Sequence, residues 1–192
     1  MKTTWHSVAK ILKNGGVAVI PTDTLYGVVG SALSEKTVER IYELKGRDDK
    51  KPCIVLITEY KDLEKFGVEY NQKELEKFWP GKVSVVLSVE NKKMQNKFNY
   101  LHRSTNGISF RMISPRNKNL FALIQQAGPL VAPSANPQGL VPAQNIWEAK
   151  KYFGNNVDVY MCGGTRNSKP STLVTYKNEK IIVLRQGAVI VK

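Results

Sequence analysis

The chain has 192 residues, of which 42 % are apolar and 23 % charged, so it is long enough for one well-cored domain and too ordinary in balance for a disordered segment. Its two cysteines, Cys53 and Cys162, and two histidines, His6 and His102, are scattered, which speaks against a disulfide framework, a zinc ribbon, a histidine metal centre and a Ser-His-Asp triad. A net charge of +13 favours polyanionic partners, nucleic acid or nucleotide phosphates, although a plainly solvated lysine surface accounts for the same number.

The first element in chain order is an amphipathic helix around Val8–Leu12, stopped at Asn14-Gly15-Gly16, followed by a buried strand at Val17–Ile20 that ends at Pro21. Ser34 opens a second helix with Val38, Ile41 and Leu44 at helical spacing, closed at Lys45-Gly46. Pro52–Ile57 reads as a buried strand, and Leu75, Phe78 and Trp79 as one helix closed by Pro80-Gly81. Val83–Val89 and Ile108–Met112 are further strands, with the polar, basic stretch 91–104 between them expected as a mobile loop or edge segment. A helix at Leu120–Ile124, a strand at Leu130–Ala132 and a helix at Ile146–Tyr152 follow. The strands Thr172–Tyr176 and Ile181–Leu184 close the chain, joined by a hairpin turn over Lys177–Lys180. Helices and strands intermix without repeat or linker, so the expected fold class is α/β: a single domain, residues 1–192, with an open twisted mixed sheet, flanking helices and a concave site. No apolar run approaches the roughly 20 residues that span a bilayer. The opening Met1–His6 also lacks a signal-peptide core, so the expected location is cytoplasmic, away from membranes.

Polar clusters sit beside these apolar strands, where α/β folds place their sites. Pro21-Thr-Asp-Thr-Leu-Tyr-Gly27 carries hydroxyls, a carboxylate and a phenol; residue types alone favour a plain turn whose Thr and Asp cap nearby amides over a small-ligand site. In Lys45-Gly-Arg-Asp-Asp49-Lys-Lys-Pro52, Lys and Arg flank a glycine and suit a triphosphate, or simply complement a helix C-terminus. Ala132-Pro-Ser134-Ala-Asn136-Pro137 offers hydrogen bonds to phosphate or carboxylate, or is a Pro-bounded turn; it is no nucleophile elbow. Pro170-Ser171-Thr-Leu-Val174 and Arg185-Gln-Gly187 complete the set, while Walker A and G-x-G-x-x-G fingerprints are absent.

These five clusters, in order along nearly the whole chain, resemble the YrdC family of L-threonylcarbamoyladenylate synthases, in the short form without an added C-terminal domain. The resemblance implies an enzyme, a nucleotidyltransferase that makes threonylcarbamoyl-AMP and pyrophosphate from L-threonine, bicarbonate or CO2, and ATP, for the threonylcarbamoyladenosine modification of tRNA. It places L-threonine against Thr22, Tyr26, Arg111, Ala132 and Ser171, and ATP against Lys45, Arg47, Asp49, Ser134, Asn136, Pro142 and Arg185, with Lys45 and Arg47 catalytic. It implies Mg2+ carried by the ATP with no dedicated protein metal site, and a downstream threonylcarbamoyl transferase complex as partner. tRNA or double-stranded RNA on the basic surface is a further expected partner, and an RNA-binding module without synthase activity is the alternative. The chain departs from the family in carrying Asp48 and Ile113 where prolines are usual.

Overall fold

Alternation of apolar side chains within the short strands sorts the core onto two faces of one sheet. The computed structural model describes residues 3–177 and 180–191. Its strands are β1 (Ala18–Pro21), β2 (Tyr26–Ser31), β3 (Ile54–Ile57), β4 (Val83–Ser88), β5 (Gly107–Met112), β6 (Leu130–Val131), β7 (Val159–Tyr160), β8 (Thr172–Lys177) and β9 (Lys180–Arg185). They join in the order β7-β1-β2-β6-β3-β5-β4-β8-β9. The pairs β1–β7, β3–β5 and β4–β8 are parallel and the rest antiparallel, the mixed sheet expected from the sequence.

On one face Val19, Val28, Val55 and Ile57 join a cluster with α2 (Glu35–Lys45) and α7 (Ile146–Phe153). On the other, Ala18, Ile20, Val29 and Leu56 meet α1 (Trp5–Lys13) and α6 (Lys118–Ala127). Both faces are thus covered, which is why the central strands read as continuous apolar runs rather than alternating ones. Thr4 caps α1 and Ser34 caps α2, each accepting from a backbone amide of the first turn.

Three sequence expectations are corrected. Residues 91–104 are neither loop nor edge: they form α4 (Lys92–Lys97) and α5 (Asn99–His102), anchored by buried Phe98, Tyr100, Leu101 and His102. Phe98 lies 5.1 Å from the Phe66 ring and the Tyr100 hydroxyl donates to Ala32 O at 3.0 Å, so a few aromatics outweigh the lysines around them. The helix expected through Trp79 stops at Leu75, leaving a one-turn α3 (Gln72–Leu75); Phe78 and Trp79 follow in turns, with the Trp79 indole N–H donating to Val83 O at 2.9 Å. The run after β1 is not only a turn, since β2 begins at Tyr26; glycines on either side of Val28-Val29 hide it from propensity. A 3-10 segment at Tyr60–Phe66 and the two-residue β7 also went unread. The final hairpin pairs antiparallel as expected, while residues 178 and 179 of its turn lie outside the described residues.

Candidate active site

β1 ends at Pro21 and the chain turns back at once into β2, its neighbour. The turn is closed by its own threonines: the Thr22 hydroxyl donates to Leu25 O at 2.7 Å, and the Thr24 amide donates to Thr22 Oγ1 at 3.2 Å. Arg111, projecting from β5, reaches this turn, donating to Asp23 Oδ1 at 2.8 Å and to Thr24 Oγ1 at 3.3 Å. It is only 4 % exposed, and its Nε has no hydrogen-bond partner among the described residues. Burial pushes the guanidinium down from its ordinary range, Asp23 pulls it back up, and the nearby Arg185 pushes it down again.

The second wall comes from the end of α2. Gly46 takes a left-handed conformation, φ 53°, and turns the chain so that Arg47 folds over the segment that follows. The Arg47 guanidinium donates to Lys51 O at 2.9 Å and Pro52 O at 3.0 Å, and sits 5.7 Å from the Tyr42 ring centroid. The third wall leaves β6. A bridge between Gly27 and Ser134, with Val28 N donating to Pro133 O and Ala135 N to Tyr26 O, straps it to β2. The Ser134 hydroxyl donates to Asn136 Oδ1 at 2.6 Å, while Asn136 Nδ2 donates to Pro137 O and Leu140 O. The fourth wall joins β8 and β9: Ser171 and Ser84 share a hydrogen bond of 2.8 Å, and Arg185 donates to Ser171 O at 2.9 Å.

Between these walls lies a cavity of about 450 Å³, within the roughly 300–1,000 Å³ of small-molecule sites. The structure brings Thr22, Tyr26, Arg47, Arg111 and Ala132 onto its lining, together with Ser134, Pro142, Ser171 and Arg185. It leaves three expected residues off it. Lys45 is buried, its ammonium donating to the carbonyls of Ser134 and Asn136. Asn136 is spent on its own loop, and the Asp49 side chain is 80 % exposed at 4.0 Å from Arg103. Tyr26 lines the cavity, but its hydroxyl is committed elsewhere, accepting from Gly163 N and donating to Gly164 O, both at 2.8 Å.

Sequence reasoning missed Lys50 and Lys51, which line the cavity, and Asp23, which holds Arg111 from behind. The two lysines stand close to Arg47 in sequence, but residue type and charge do not say which of Lys45, Lys50 and Lys51 faces a cavity. The lining therefore carries Arg47, Lys50, Lys51, Arg111 and Arg185 and, among the described residues, no Asp or Glu. Burial, then Arg47, pushes Arg185 below its ordinary range, as expected where like charges converge. Such a cavity attracts anions and stabilises negative charge developing within it. Among the described residues, no group of three or more His, Cys, Asp or Glu is placed to hold a metal ion.

The Sua5–YciO–YrdC family model, described as "Telomere recombination", matches residues 10–187, nearly the whole chain. The chain belongs to this family. A Sua5–YciO–YrdC relative from Methanocaldococcus jannaschii, named a putative threonylcarbamoyl-AMP synthase, is 30% identical over 183 residues, covering 94% of this chain and 84% of the relative. The threonylcarbamoyl-AMP synthase of Bacillus subtilis is 28% identical over 186 residues, 94% of this chain and 52% of its own length. Sua5 of Pyrococcus abyssi, solved with L-threonine, matches the fold with a TM-score of 0.82 at 27% identity, over 95% of this chain and 54% of that one. The chain thus spans about half the length of these two longer members of the Sua5–YciO–YrdC family.

Proposed function

We propose that the chain is a threonylcarbamoyl-AMP synthase, a nucleotidyltransferase. The threonine amine adds to CO2 and releases a proton, giving a carbamate. A carbamate oxygen then bonds to the α-phosphorus of ATP as the bond to the pyrophosphate oxygen breaks, yielding threonylcarbamoyl-AMP and pyrophosphate. Carbamate and triphosphate are both anions, so their approach is opposed until cations surround them. The observation that carries the reading is the convergence of Arg47, Lys50, Lys51, Arg111 and Arg185 on one cavity with no acidic lining residue among the described residues.

In this reading Arg111 pairs with the threonine carboxylate through N–H donors beyond those given to Asp23 and Thr24, while Thr22, Ser171, Ala132 and Tyr26 bound the amino acid. Arg47, Lys50, Lys51 and Arg185 take the phosphates and steady charge on departing pyrophosphate; Ser134 and Pro142 border the nucleotide. Orientation of the short-lived carbamate inside the cavity supplies further acceleration. Mg2+ would arrive on the phosphates, held by them and by water, as the lining offers it no carboxylate among the described residues. The product would pass to a threonylcarbamoyl transferase acting on tRNA, and the net charge of +13 suits contact with that RNA. No helix among the described residues is long and apolar enough to cross a membrane.

The test is pyrophosphate release from ATP and bicarbonate with L-threonine, L-serine or no amino acid. Release that depends on L-threonine is the expected result. Salt-sensitive tRNA binding with no amino-acid-dependent release would instead support an RNA-binding module.

A further inference from the structure

Two walls of the cavity come from segments distant in sequence, the turn after α2 that carries Arg47, and the loop after β6 that carries Ser134 and Pro142. Four hydrogen bonds cross where they meet. The Lys45 ammonium, on a residue 3 % exposed, donates to the carbonyls of Ser134 and Asn136. Gln138 of the loop makes the other two: its N donates to Lys45 O at 2.7 Å, and its Oε1 accepts from Asp48 N at 2.8 Å. Two of the three ammonium donors are therefore engaged inside the protein, on carbonyls that would be left without this donor if the ammonium swung into the cavity. Charge-assisted donation to two carbonyls of one loop, two residues apart, is a strong tether for it.

We infer that Lys45 and Gln138 form a latch between the Lys45-Gly46-Arg47 turn and the Ser134–Gln138 loop, and that Lys45 is a positioning residue acting through the Ser134 and Asn136 carbonyls rather than a ligand of the phosphates. The substrates concerned rest on the synthase reading, whereas the latch is a property of the fold. Gln138, outside every motif above, becomes functional because its amide and side chain complete the crossing from the loop side.

The test combines backbone hydrogen exchange with calorimetric titration of L-threonine and ATP, each separately, for the parent chain, Lys45→Met and Gln138→Ala. A latch predicts at least about 10-fold faster exchange at Ala135, Gln138 and Ala143 in Lys45→Met, with affinities for both ligands falling together. Gln138→Ala, which removes no charge and only an exposed side chain's bond, is expected to show the same pattern at about 3-fold. Parental exchange in Lys45→Met with loss of ATP affinity alone would make Lys45 a phosphate ligand, and parental exchange in Gln138→Ala would remove Gln138 from any latch. A parent chain that releases no pyrophosphate would overturn the synthase reading, and the exchange rates would still decide the latch.

Discussion

Arg111 donates to Asp23 at 2.8 Å, across from β5 to the turn that ends β1, and both side chains are largely withdrawn from water. The pair places at the cavity a guanidinium already partly neutralised by Asp23 and held by Thr24 as well, and in the synthase reading this is the group that meets the threonine carboxylate. Removing one member of a buried pair strands the other, at a cost of about 3–5 kcal/mol. Asp23→Asn is therefore expected to destabilise the chain by about 3 kcal/mol in urea unfolding, and to weaken L-threonine in the same preparation. An unchanged urea midpoint would show that the carboxylate does not compensate Arg111.

Arg47 and Arg185 face each other's field on one cavity, and burial pushes Arg185 down before Arg47 adds to the effect. Preorganised charge donors of this kind are worth about 10²-fold or more in rate. Arg47→Ala and Arg185→Ala should each lower the initial rate of threonine-dependent pyrophosphate release by about that factor. Near-parental rates in both would remove these cations from the chemistry.

Lys45 supplies a pH dependence with two opposite readouts. Burial first, then Arg47, pushes its ammonium down to about 8, against a smaller upward pull from Cys53. Above that pH the folded chain has released a proton that the unfolded chain still holds, so this group's contribution to stability rises with pH from about 8 to the ordinary lysine range; below 8 the cost of the buried charge is fully present. Turnover should move the other way, falling above pH 8 as the charge-assisted hold on Ser134 and Asn136 is lost. Lys45→Arg, which stays protonated, should flatten that limb in rate measurements made from pH 7 to 10. A limb that persists unchanged in Lys45→Arg would assign it to another group.

Gly187 has no room for a side chain. A β-carbon there would collide with the backbone oxygen of Pro170 and lie 2.6 Å from Ser171 O, atoms that cannot turn aside as a flexible side chain can. Gly187→Ala should cost about 1–3 kcal/mol in unfolding experiments, as overpacking does, and shift the Ser171 wall that Arg185 holds. Parental stability together with parental L-threonine affinity would show that this contact yields freely.

Much of the architecture was legible because it rests on local signals. Apolar runs such as Val17–Ile20 and the Ser34 cap mark their elements without help from distant residues. The stretch 91–104 was not, because Phe98 and Tyr100 are two aromatics among lysines and asparagines, and their weight comes from Phe66 and Ala32, neighbours only in space. β2 was hidden for a similar reason: its glycines lower strand propensity, and pairing with β1 and β6 overrides it.

The sequence by itself determined the α/β class, the excess of cations and the order of five polar clusters beside short apolar strands. The tertiary structure decided which cations face the cavity. Lys45, Lys50 and Lys51 are chemically identical, yet a left-handed Gly46 and the docking of the Ser134–Gln138 loop bury the first and turn the other two to the lining. A side chain's direction after such a turn depends on what packs against it from elsewhere in the chain, so spacing in sequence does not carry that information.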